Sequence, residues 1–361
     1  MGEITDVRDG THDSPKYVQE GHPFITSKNV SNGFINYDDV QYVTDADYEE
    51  INKRSKVDVH DILMGMIGTI GNLALIRKEP DFAIKNVALI KYTGDVDYQY
   101  LYQALQAGCV TNQLSTGMDG GTQKFVSLKK IRELDIPFPD GWEQRKIGAY
   151  FSTIDHLIAL HQQKITLLIK LKKAMLEKMF PKKGSVIPEI RFNGFANAWE
   201  QRKLGEITKT HSFKQYISES FAQGKYAVIQ QGENPIAGYA DGNPFENYKD
   251  VTLFGDHTLS LFKPQGKFFV ASDGIKILSP SLKMSGMFYY YLLEKYKPQS
   301  EGYKRHFTIM KKSTALFPIE IDEQVKISKF LKEFDFLITL HQRKLDMLKK
   351  LKSACLSEMF I

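Results

Sequence analysis

The sequence has little cysteine and lacks the segments that would place it in a membrane. Its 361 residues include two cysteines, Cys109 and Cys355, which stand far apart and form no CxxC pair. No apolar run approaches the roughly 18 residues that a spanning helix needs, and the first residues lack the basic and then apolar pattern of a secretory leader. We therefore expect a cytoplasmic protein and not a disulfide scaffold or a membrane protein.

The sequence also lacks the short motifs that mark many catalytic sites. It has no GxxxxGK[ST] phosphate loop, no HExxH, no GxSxG and no Asn/Asp-Pro-Pro-aromatic signature of base-amino methyltransferases. The net charge of +5 permits a nucleic-acid partner without requiring one. The content of 42% hydrophobic residues is that of a globular protein, and the length is enough for two or three domains. These absences favour a binding protein over an enzyme.

An internal repeat organises the chain. The segment 155–180 aligns without a gap on 335–360, an offset of 180, and 15 of 26 positions are identical. The match extends upstream, where Glu143-QRKI lies over Glu323-QVKI. A second match, Gly2-EIT over Gly205-EIT, has a different offset. The repeat predicts five segments, which are a block (1–140), a helix (141–180), a linker (181–198), a second block (199–319) and a second helix (320–361).

Both repeated segments carry the apolar spacing of a coiled-coil seam. Apolar residues recur at alternating steps of four and three, which is the 3.5-residue period of paired helices. We expect the two helices to pair antiparallel. The residues expected to pair the helices or to dock other subunits are Ile154, Ile158, His161, Ile165, Leu168, Phe334, Ile338, His341, Leu345 and Leu348.

His161 and His341 occupy equivalent positions of this seam. Two histidines alone make a poor metal site, so a hydrogen-bonded polar layer that fixes the pairing register is favoured over a metal or pH-sensing pair.

The two blocks share an order of elements but few residues. Each has a tyrosine-rich segment with the character of a helix, Tyr98-QYLYQAL and Phe288-YYYLLEKY. Each then ends in a basic, aromatic stretch that leads into a proline-marked strand. Asp140 is a candidate cap for the first long helix, and the second WEQRK, at Trp199–Lys203, is predicted to lead into the first strand of the second block.

Several polar segments combine amides, hydroxyls and basic groups, the side chains that pair with base edges and hold phosphates. Asp9-GTHDSP and Phe254-GDHT suit a turn or a recognition loop better than a metal or general-base site, since no third group is identified. The candidate DNA-binding residues are Thr11, His12, Ser27, Lys28, Asn29, Thr122, Gln123, Lys124, Gln230, Gln231, Lys304, Arg305 and His306.

The repeated helices, the linker string PEIRFNGFANAWEQRKLGEI and the strings RDGTHDSPKY and PFITSKN resemble the specificity subunit of type I restriction–modification enzymes along essentially the whole chain. The resemblance implies an α+β fold with two mixed α/β target-recognition domains. Two long helices would separate them, pairing as an antiparallel coiled coil in a pseudo-twofold internal repeat. The family usually has a segment like PEIRFNGFANAWEQRKL before both domains, whereas this sequence begins inside it; a shortened N-terminus is one expectation.

The resemblance also implies a function. Each domain would read one half of a bipartite double-stranded DNA site, and the helices would set the spacing and dock two methyltransferase subunits. This chain would be non-catalytic and bind no cofactor, with S-adenosylmethionine, ATP and Mg in partner subunits, including the restriction (motor-nuclease) subunits. The alternative is a coiled-coil adaptor that binds proteins through its two domains, for which binding would be insensitive to salt.

Overall fold

The computed structural model describes residues 1–116, 124–300, 302 and 304–360. The chain forms two compact units, unit 1 (Met1–Gln162 with Arg343–Ile361) and unit 2 (Gln163–Gln342). The division between the units falls within both long helices. The reason is that each block packs its core against the first part of one long helix and the last part of the other.

Unit 1 contains nine short strands among its described residues, β1 (Val7–Asp9), β2 (His22–Thr26), β3 (Val30–Ser31), β4 (Phe34–Ile35), β5 (Gln41–Val43), β6 (Ile62–Gly65), β7 (Leu73–Leu75), β8 (Ala83–Lys85) and β9 (Val87–Ile90). Its helices are α1 (Asp45–Ser55), α2 (Tyr98–Ala104), α3 (Gly108–Thr116), α4 (Leu128–Arg132) and the first part of α5 (Gly141–Lys178). A 3-10 turn covers Ser27–Asn29.

Unit 2 contains β10 (Glu200–Lys203), β11 (Thr208–His211), β12 (Tyr226–Ile229), β13 (Ile236–Ala240), β14 (Thr252–Gly255), β15 (Leu261–Phe262), β16 (Phe268–Val270), β17 (Ile275–Pro280) and β18 (Thr314–Phe317). Its helices are α6 (Leu204–Ile207), α7 (Gly286–Tyr296), α8 (Phe307–Lys312) and the first part of α9 (Ile321–Glu358), whose last part belongs to unit 1. A 3-10 turn covers Lys214–Tyr216.

The same sheet topology occurs in both units. Unit 1 has an antiparallel sheet in the order β1-β9-β6-β7 and a three-stranded sheet β5-β2-β8, in which β2 and β8 are parallel. Unit 2 has β11-β17-β14-β15 and β13-β12-β16, in which β12 and β16 are parallel. The internal repeat therefore includes the folds of the two blocks, although their residues mostly differ. Many different residue types can maintain the alternation of buried and exposed positions along a strand.

A two-stranded pairing of unit 2 has no equivalent among the described residues of unit 1. The unit 2 strand β18 pairs with β10, with Glu200 opposite Phe317. The corresponding unit 1 residues, 135–138, form no strand, and none of the described residues forms a backbone–backbone hydrogen bond with them. The predicted proline-marked strand is thus present in the second block and wrong for the first, where the described residues include no partner strand.

The long helices are formed as the sequence predicts. The side chain of Asp140 accepts hydrogen bonds from the backbone N–H groups of Trp142 and Glu143, both at 2.9 Å, and caps the start of α5. In unit 1, Phe151 of α5 contacts Phe360 just beyond α9, and Asp155 contacts Lys352. As the number rises on one helix it falls on the other, so the helix segments within this unit run antiparallel.

The residues predicted to pair the helices are shielded from solvent to different degrees. Of the ten, Ile154 and Leu345 are buried. The other eight are half-buried. His161 and His341 are both half-buried. That they form a register-fixing layer remains a prediction.

A buried glutamine joins each block to its long helix in the same way. In unit 1, Gln144 accepts a hydrogen bond from the Asp97 N–H at 3.0 Å and donates one to the Pro139 carbonyl at 2.8 Å. In unit 2, Gln324 accepts one from the Ser285 N–H at 2.9 Å and donates one to the Pro318 carbonyl at 2.8 Å. Asp97 and Ser285 cap α2 and α7. The two predicted tyrosine-rich helices are thus confirmed and are anchored alike.

Candidate nucleic-acid interface and helix docking faces

Three equivalent loops come together in each unit and form what we call its loop edge. In unit 1 they follow β2, follow β6 and precede β9. The Ser27 hydroxyl accepts a hydrogen bond from the Met66 N–H at 3.1 Å and donates one to the Asn86 carbonyl at 2.8 Å. Asn86 has a φ of 52°, a left-handed conformation that asparagine tolerates in tight turns. A single small side chain thereby holds the three loops together.

In unit 2 the loops follow β12, follow β14 and precede β17, and a glutamine takes the place of the serine. The side-chain oxygen of Gln231 accepts a hydrogen bond from the His257 N–H at 3.2 Å, and the Asp256 N–H donates to the Gly274 carbonyl at 2.8 Å. A Cβ added to Gly274 would lie 2.7 Å from the Gln231 amide nitrogen. The same loop edge is therefore built with different residues.

The chain before each long helix also reaches this edge. In unit 1, Val126 donates its N–H to the Met66 carbonyl at 3.0 Å, and Ile67 forms a β-bridge with Phe125. In unit 2, His306 donates its N–H to the Asp256 carbonyl at 2.8 Å. The described ends of these basic stretches, residues 124–126 and 304–306, therefore lie at the loop edges.

The predicted DNA-binding residues of unit 1 divide into exposed and buried groups. The His12 imidazole is exposed and is held by the Asp9 carboxylate at 2.9 Å and the Asn86 amide oxygen at 2.7 Å. Thr11 is half-buried and bridges to Lys85. Lys28 is exposed, with its ammonium 2.7 Å from Asp39. These three can reach a ligand from the surface.

Ser27 and Asn29 serve the fold instead. Ser27 is 5% exposed and Asn29 is 3% exposed. The Asn29 side chain accepts from the Thr26 N–H at 3.0 Å and donates to the Asn36 carbonyl at 3.1 Å. The structure therefore gives no support to direct contact of these two with DNA. Thr122 and Gln123 lie outside the described residues, and Lys124 is exposed beside Phe125.

The unit 2 candidates divide in the same manner. Gln230, Lys304 and Arg305 are exposed. Gln230 donates to the Asn234 carbonyl at 2.9 Å, and the Arg305 guanidinium lies 3.9 Å from Asp273. His306 is fully buried, with its ring nitrogen 3.2 Å from the Asp256 carbonyl, and Gln231 is half-buried. His306 is placed to position the edge and not to contact a base.

Other residues of the loop edges were missed from sequence. In unit 1 they are Asn86, the exposed Phe125 and Arg54, whose guanidinium binds the Asp9 carboxylate. In unit 2 the missed residue is Asp273, whereas His257 belongs to the Phe254-GDHT segment that was assigned to a turn or a recognition loop. Asn86 could have been found, because Lys85-Asn86 interrupts an apolar run between two strands and asparagine is typical of turns. Among the described residues, no group of three or more His, Cys, Asp or Glu could hold a metal ion.

A network of charged and polar groups holds each block on the helices; we call it the clamp. In unit 1, the Asp155 carboxylate binds the Lys352 ammonium at 2.8 Å and accepts a hydrogen bond from Gln103 of α2 at 2.7 Å. The same ammonium donates to Gln106 at 3.1 Å. Burial, followed by the nearby Asp155 charge, raises the pKa of Tyr102 to about 12. Each helix thus contributes one member of the ion pair, and the block contributes its partners.

Unit 2 repeats the clamp with helix residues that differ by an offset of 180. The Asp335 carboxylate binds the Lys172 ammonium at 2.7 Å and accepts a hydrogen bond from the Tyr291 hydroxyl at 2.6 Å. Glu294 takes the place of Gln106, 3.0 Å from Lys172. Burial, then the hydrogen bond to Asp335, raises the pKa of Tyr291 well above its ordinary value. Lys172 is therefore shared by two carboxylates and Lys352 by one.

This difference predicts unequal effects of removing the two lysines. We expect Lys172→Met to lower the free energy of unfolding by about 2–3 kcal/mol, because it leaves two carboxylates without their charged donor. Lys352→Met should cost less, about 1–2 kcal/mol, since Asp155 keeps Gln103 and loses one charged partner.

Urea unfolding of the full chain measures both changes. The matched control is Lys129→Met, which removes an exposed pair with Glu133 at 3.8 Å and should change stability by less than about 1 kcal/mol. Equal losses for Lys172→Met and Lys352→Met would contradict the assignment of two carboxylates to the first.

Two equivalent sets of exposed apolar side chains lie on the long helices; we call them the docking faces. The predicted pairing residues are mostly turned inward, but their neighbours are not. In unit 1 the docking face consists of Tyr150, Leu157, Met347 and Leu351, which are 36–70% exposed. In unit 2 it consists of Phe330, Leu337, Leu167 and Leu171, which are 37–56% exposed. Each member has its counterpart 180 positions away, so the same apolar pattern is presented twice.

Comparison with known proteins places these features in a family. The family described as the type I restriction modification DNA specificity domain matches the chain twice, over residues 2–171 and 196–350. The matches cover most of the sequence, and the chain belongs to this family. Among the described residues, no helix is long and apolar enough to cross a membrane.

Individual relatives agree. The chain is 25% identical over 376 residues to the protein of Methanocaldococcus jannaschii assigned as the MjaX type I restriction enzyme specificity subunit, covering 96% of this chain and 88% of that protein. It is 26% identical over 220 residues to the MjaVIII specificity subunit of the same organism, covering 58% of this chain and 50% of that protein.

A solved structure shares the fold. The S subunit of a type I restriction–modification system from M. genitalium superposes with a TM-score of 0.70 at 16% identity, covering 100% of this chain and 94% of that one. The predicted fold, with two mixed α/β domains, two long helices and an internal repeat, is thereby confirmed.

Proposed function

We propose that each loop edge reads one half of a bipartite double-stranded DNA site, as part of a type I restriction–modification complex. The observation that carries the proposal is that one frame presents the same three loops twice, with different side chains at corresponding places. Ser27 in unit 1 and Gln231 in unit 2 hold equivalent loops. Reading two different half-sites requires the same arrangement of strands and loops with different side chains at the loop edge.

The exposed groups at the edges have the chemistry for this task. His12, Lys124, Gln230 and Arg305 offer donors and acceptors for base edges or phosphates. The His12 ring is held by Asp9 and Asn86, and the Gln230 amide is held by the Asn234 carbonyl, so these two side chains lose less freedom on binding.

The docking faces support the second half of the proposal. Two copies of one apolar pattern fit two copies of one partner, and we propose that each binds a methyltransferase subunit. The chain itself then catalyses nothing. S-adenosylmethionine would be bound by the methyltransferase subunits, and ATP and Mg by the restriction subunits.

Methylome sequencing tests the proposal. Cells that contain the chain and its methyltransferase should carry adenine methylation at one split motif, and deletion of the chain should remove it completely. Replacing residues 1–140 by the corresponding block of a relative should change one half of the motif and leave the other half and the spacing unchanged. If no methylated motif is lost on deletion, the proposal is refuted.

A further inference from the structure

A large cleft lies within unit 1, between its block and its parts of the long helices. Its volume is about 1110 Å³, and it is lined by the β3–β4 hairpin, β7, α2, α5 and the unit 1 part of α9. None of the predicted DNA-binding residues lines it. Pockets that hold small organic ligands usually measure about 300–1,000 Å³, so this cleft has room for such a ligand.

A tight hairpin places an exposed aromatic ring at the cleft. β3 and β4 are joined by Asn32 and Gly33, whose φ values of 52° and 82° suit a two-residue type I′ turn. A Cβ added to Gly33 would clash with the Tyr102 hydroxyl, so glycine is required there. Phe34, the next residue, is 55% exposed. The hairpin thus fixes the position of a ring that the fold does not bury.

Arg77 supports this ring and adds a cation to the cleft. Its guanidinium carbon lies 4.7 Å from the centre of the Phe34 ring. Its Nη1 donates hydrogen bonds to the Gly33 and Leu75 carbonyls at 2.8 Å and 3.2 Å. No carboxylate forms an ion pair with Arg77 among the described residues. An arginine has five N–H donors, so donors remain for a ligand that stacks on the adjoining ring.

Two further cations line the cleft from α9. Lys352 belongs to the clamp and is paired with Asp155 at 2.8 Å. Lys349 lies one helical turn away and is exposed, and within the described part of the chain no carboxylate pairs with it. The cleft is therefore lined by three Lys or Arg side chains and one carboxylate. This balance favours an anionic ligand.

The clamp is repeated in unit 2, but the exposed polar groups beside it are not. Lys349 and His156, which both line the cleft, correspond to Ile169 and Phe336 at an offset of 180. These two apolar side chains are 51% and 60% exposed. The equivalent helices form with isoleucine and phenylalanine at these positions. The cation at Lys349 is therefore not needed for the helices to form.

We propose that the unit 1 cleft binds a nucleotide with an accessible base, either free or unpaired within a nucleic-acid strand. The base stacks on Phe34, and the phosphate pairs with Arg77 and Lys349. An aromatic ring for the base beside cations for the phosphate is the combination by which proteins hold unpaired nucleotides. The inference concerns the cleft alone and does not depend on what the loop edges read.

A 5′-fluorescein-labelled pentathymidylate tests the cleft by anisotropy with the full chain. We expect saturable binding that Phe34→Leu weakens roughly tenfold, because leucine provides no ring for the base to stack on. Lys349→Met should weaken binding roughly fivefold, and it should lower the slope of log affinity against log salt by about 0.7, because one phosphate contact is lost.

Each variant has a matched control. Phe138→Leu removes a phenylalanine that is 53% exposed, and Lys350→Met removes the charge of the neighbouring exposed lysine. Neither residue lines the cleft, so both controls should bind the strand as the wild type does. All four positions are exposed, and each variant should keep the thermal midpoint of the wild-type chain.

Unlabelled competitors identify the source of the nucleotide. Displacement by thymidine monophosphate supports a free nucleotide, and displacement by the strand alone supports an unpaired nucleotide in a nucleic acid. The proposal is overturned by the absence of saturable binding up to about 1 mM strand, or by variants that bind no more weakly than their controls. It is also overturned if inorganic phosphate competes as well as the nucleotide, or if Phe34→Leu weakens binding of a DNA duplex by the same factor.

Discussion

Replacing Arg191 with methionine lowers the free energy of unfolding by about 3–5 kcal/mol, the largest stability effect that we expect from one substitution in this chain. The partner of Arg191, Glu323, is 1% exposed and cannot gain water without opening the unit. Methionine keeps much of the aliphatic volume of the arginine but provides no donors, so the carboxylate remains buried and loses its counter-charge. Of the three hydrogen bonds that the Glu323 carboxylate accepts, only the weak one from Trp199 then remains.

Urea unfolding of the full chain, followed by circular dichroism, measures this effect. Arg202→Met is the matched control, since Arg202 pairs with Glu200 at an exposed site in the same region and should contribute less than about 1 kcal/mol. Glu143→Gln, at the position equivalent to Glu323, should change stability by no more than about 0.5 kcal/mol because the side chain is exposed. A loss below about 1 kcal/mol for Arg191→Met would show that the linker is not anchored by this pair.

The second large effect is expected on assembly. Leu167→Asp and Met347→Asp place a charge at equivalent positions of the two docking faces, which are 56% and 70% exposed. An unpaired carboxylate buried in an apolar interface costs several kcal/mol, so we expect each variant to weaken one methyltransferase site by about 100-fold or more. Each single variant should then retain one bound subunit, and the double variant none.

Native mass spectrometry of the chain mixed with its methyltransferase counts the bound subunits directly. Leu167→Met with Met347→Leu is the matched control, because both changes keep the faces apolar and should leave two subunits bound. The free chain should unfold within about 0.5 kcal/mol of the wild type, since both positions are exposed. Retention of two subunits by the Asp double variant would contradict the assignment of these faces to the methyltransferase.

Much of the helical part could be predicted from the sequence, because its signals are local. The 3.5-residue period places Ile154 and Leu345 in the seam, and both are buried. The cap at Asp140 and the strand at Glu200–Lys203 lie where the sequence places them. Periodicity and capping depend on neighbours within a few residues, and a single sequence contains that information.

The interface residues were harder to predict because their roles depend on distant neighbours. Ser27, Asn29 and His306 have the composition of a nucleic-acid interface, but their polar groups are used within the fold. Asn86 was missed because its importance arises from contacts with Ser27 and His12, which are far away in sequence. Burial of a polar side chain is decided by the strands that surround it, and no local pattern reports this.

The sequence by itself determined that the chain is a repeat with an offset of 180, that its long helices share one seam, and that its blocks have the same order of elements. Identical residues at a constant offset require no knowledge of packing. Only the tertiary structure decided that Lys172 and Lys352 close equivalent clamps, since α2 and α7 correspond at an offset of 188 and not 180. It also decided that Glu323 is buried under Arg191 while Glu143 is exposed, because equivalent residues differ in burial when only one of them is covered by a neighbouring segment.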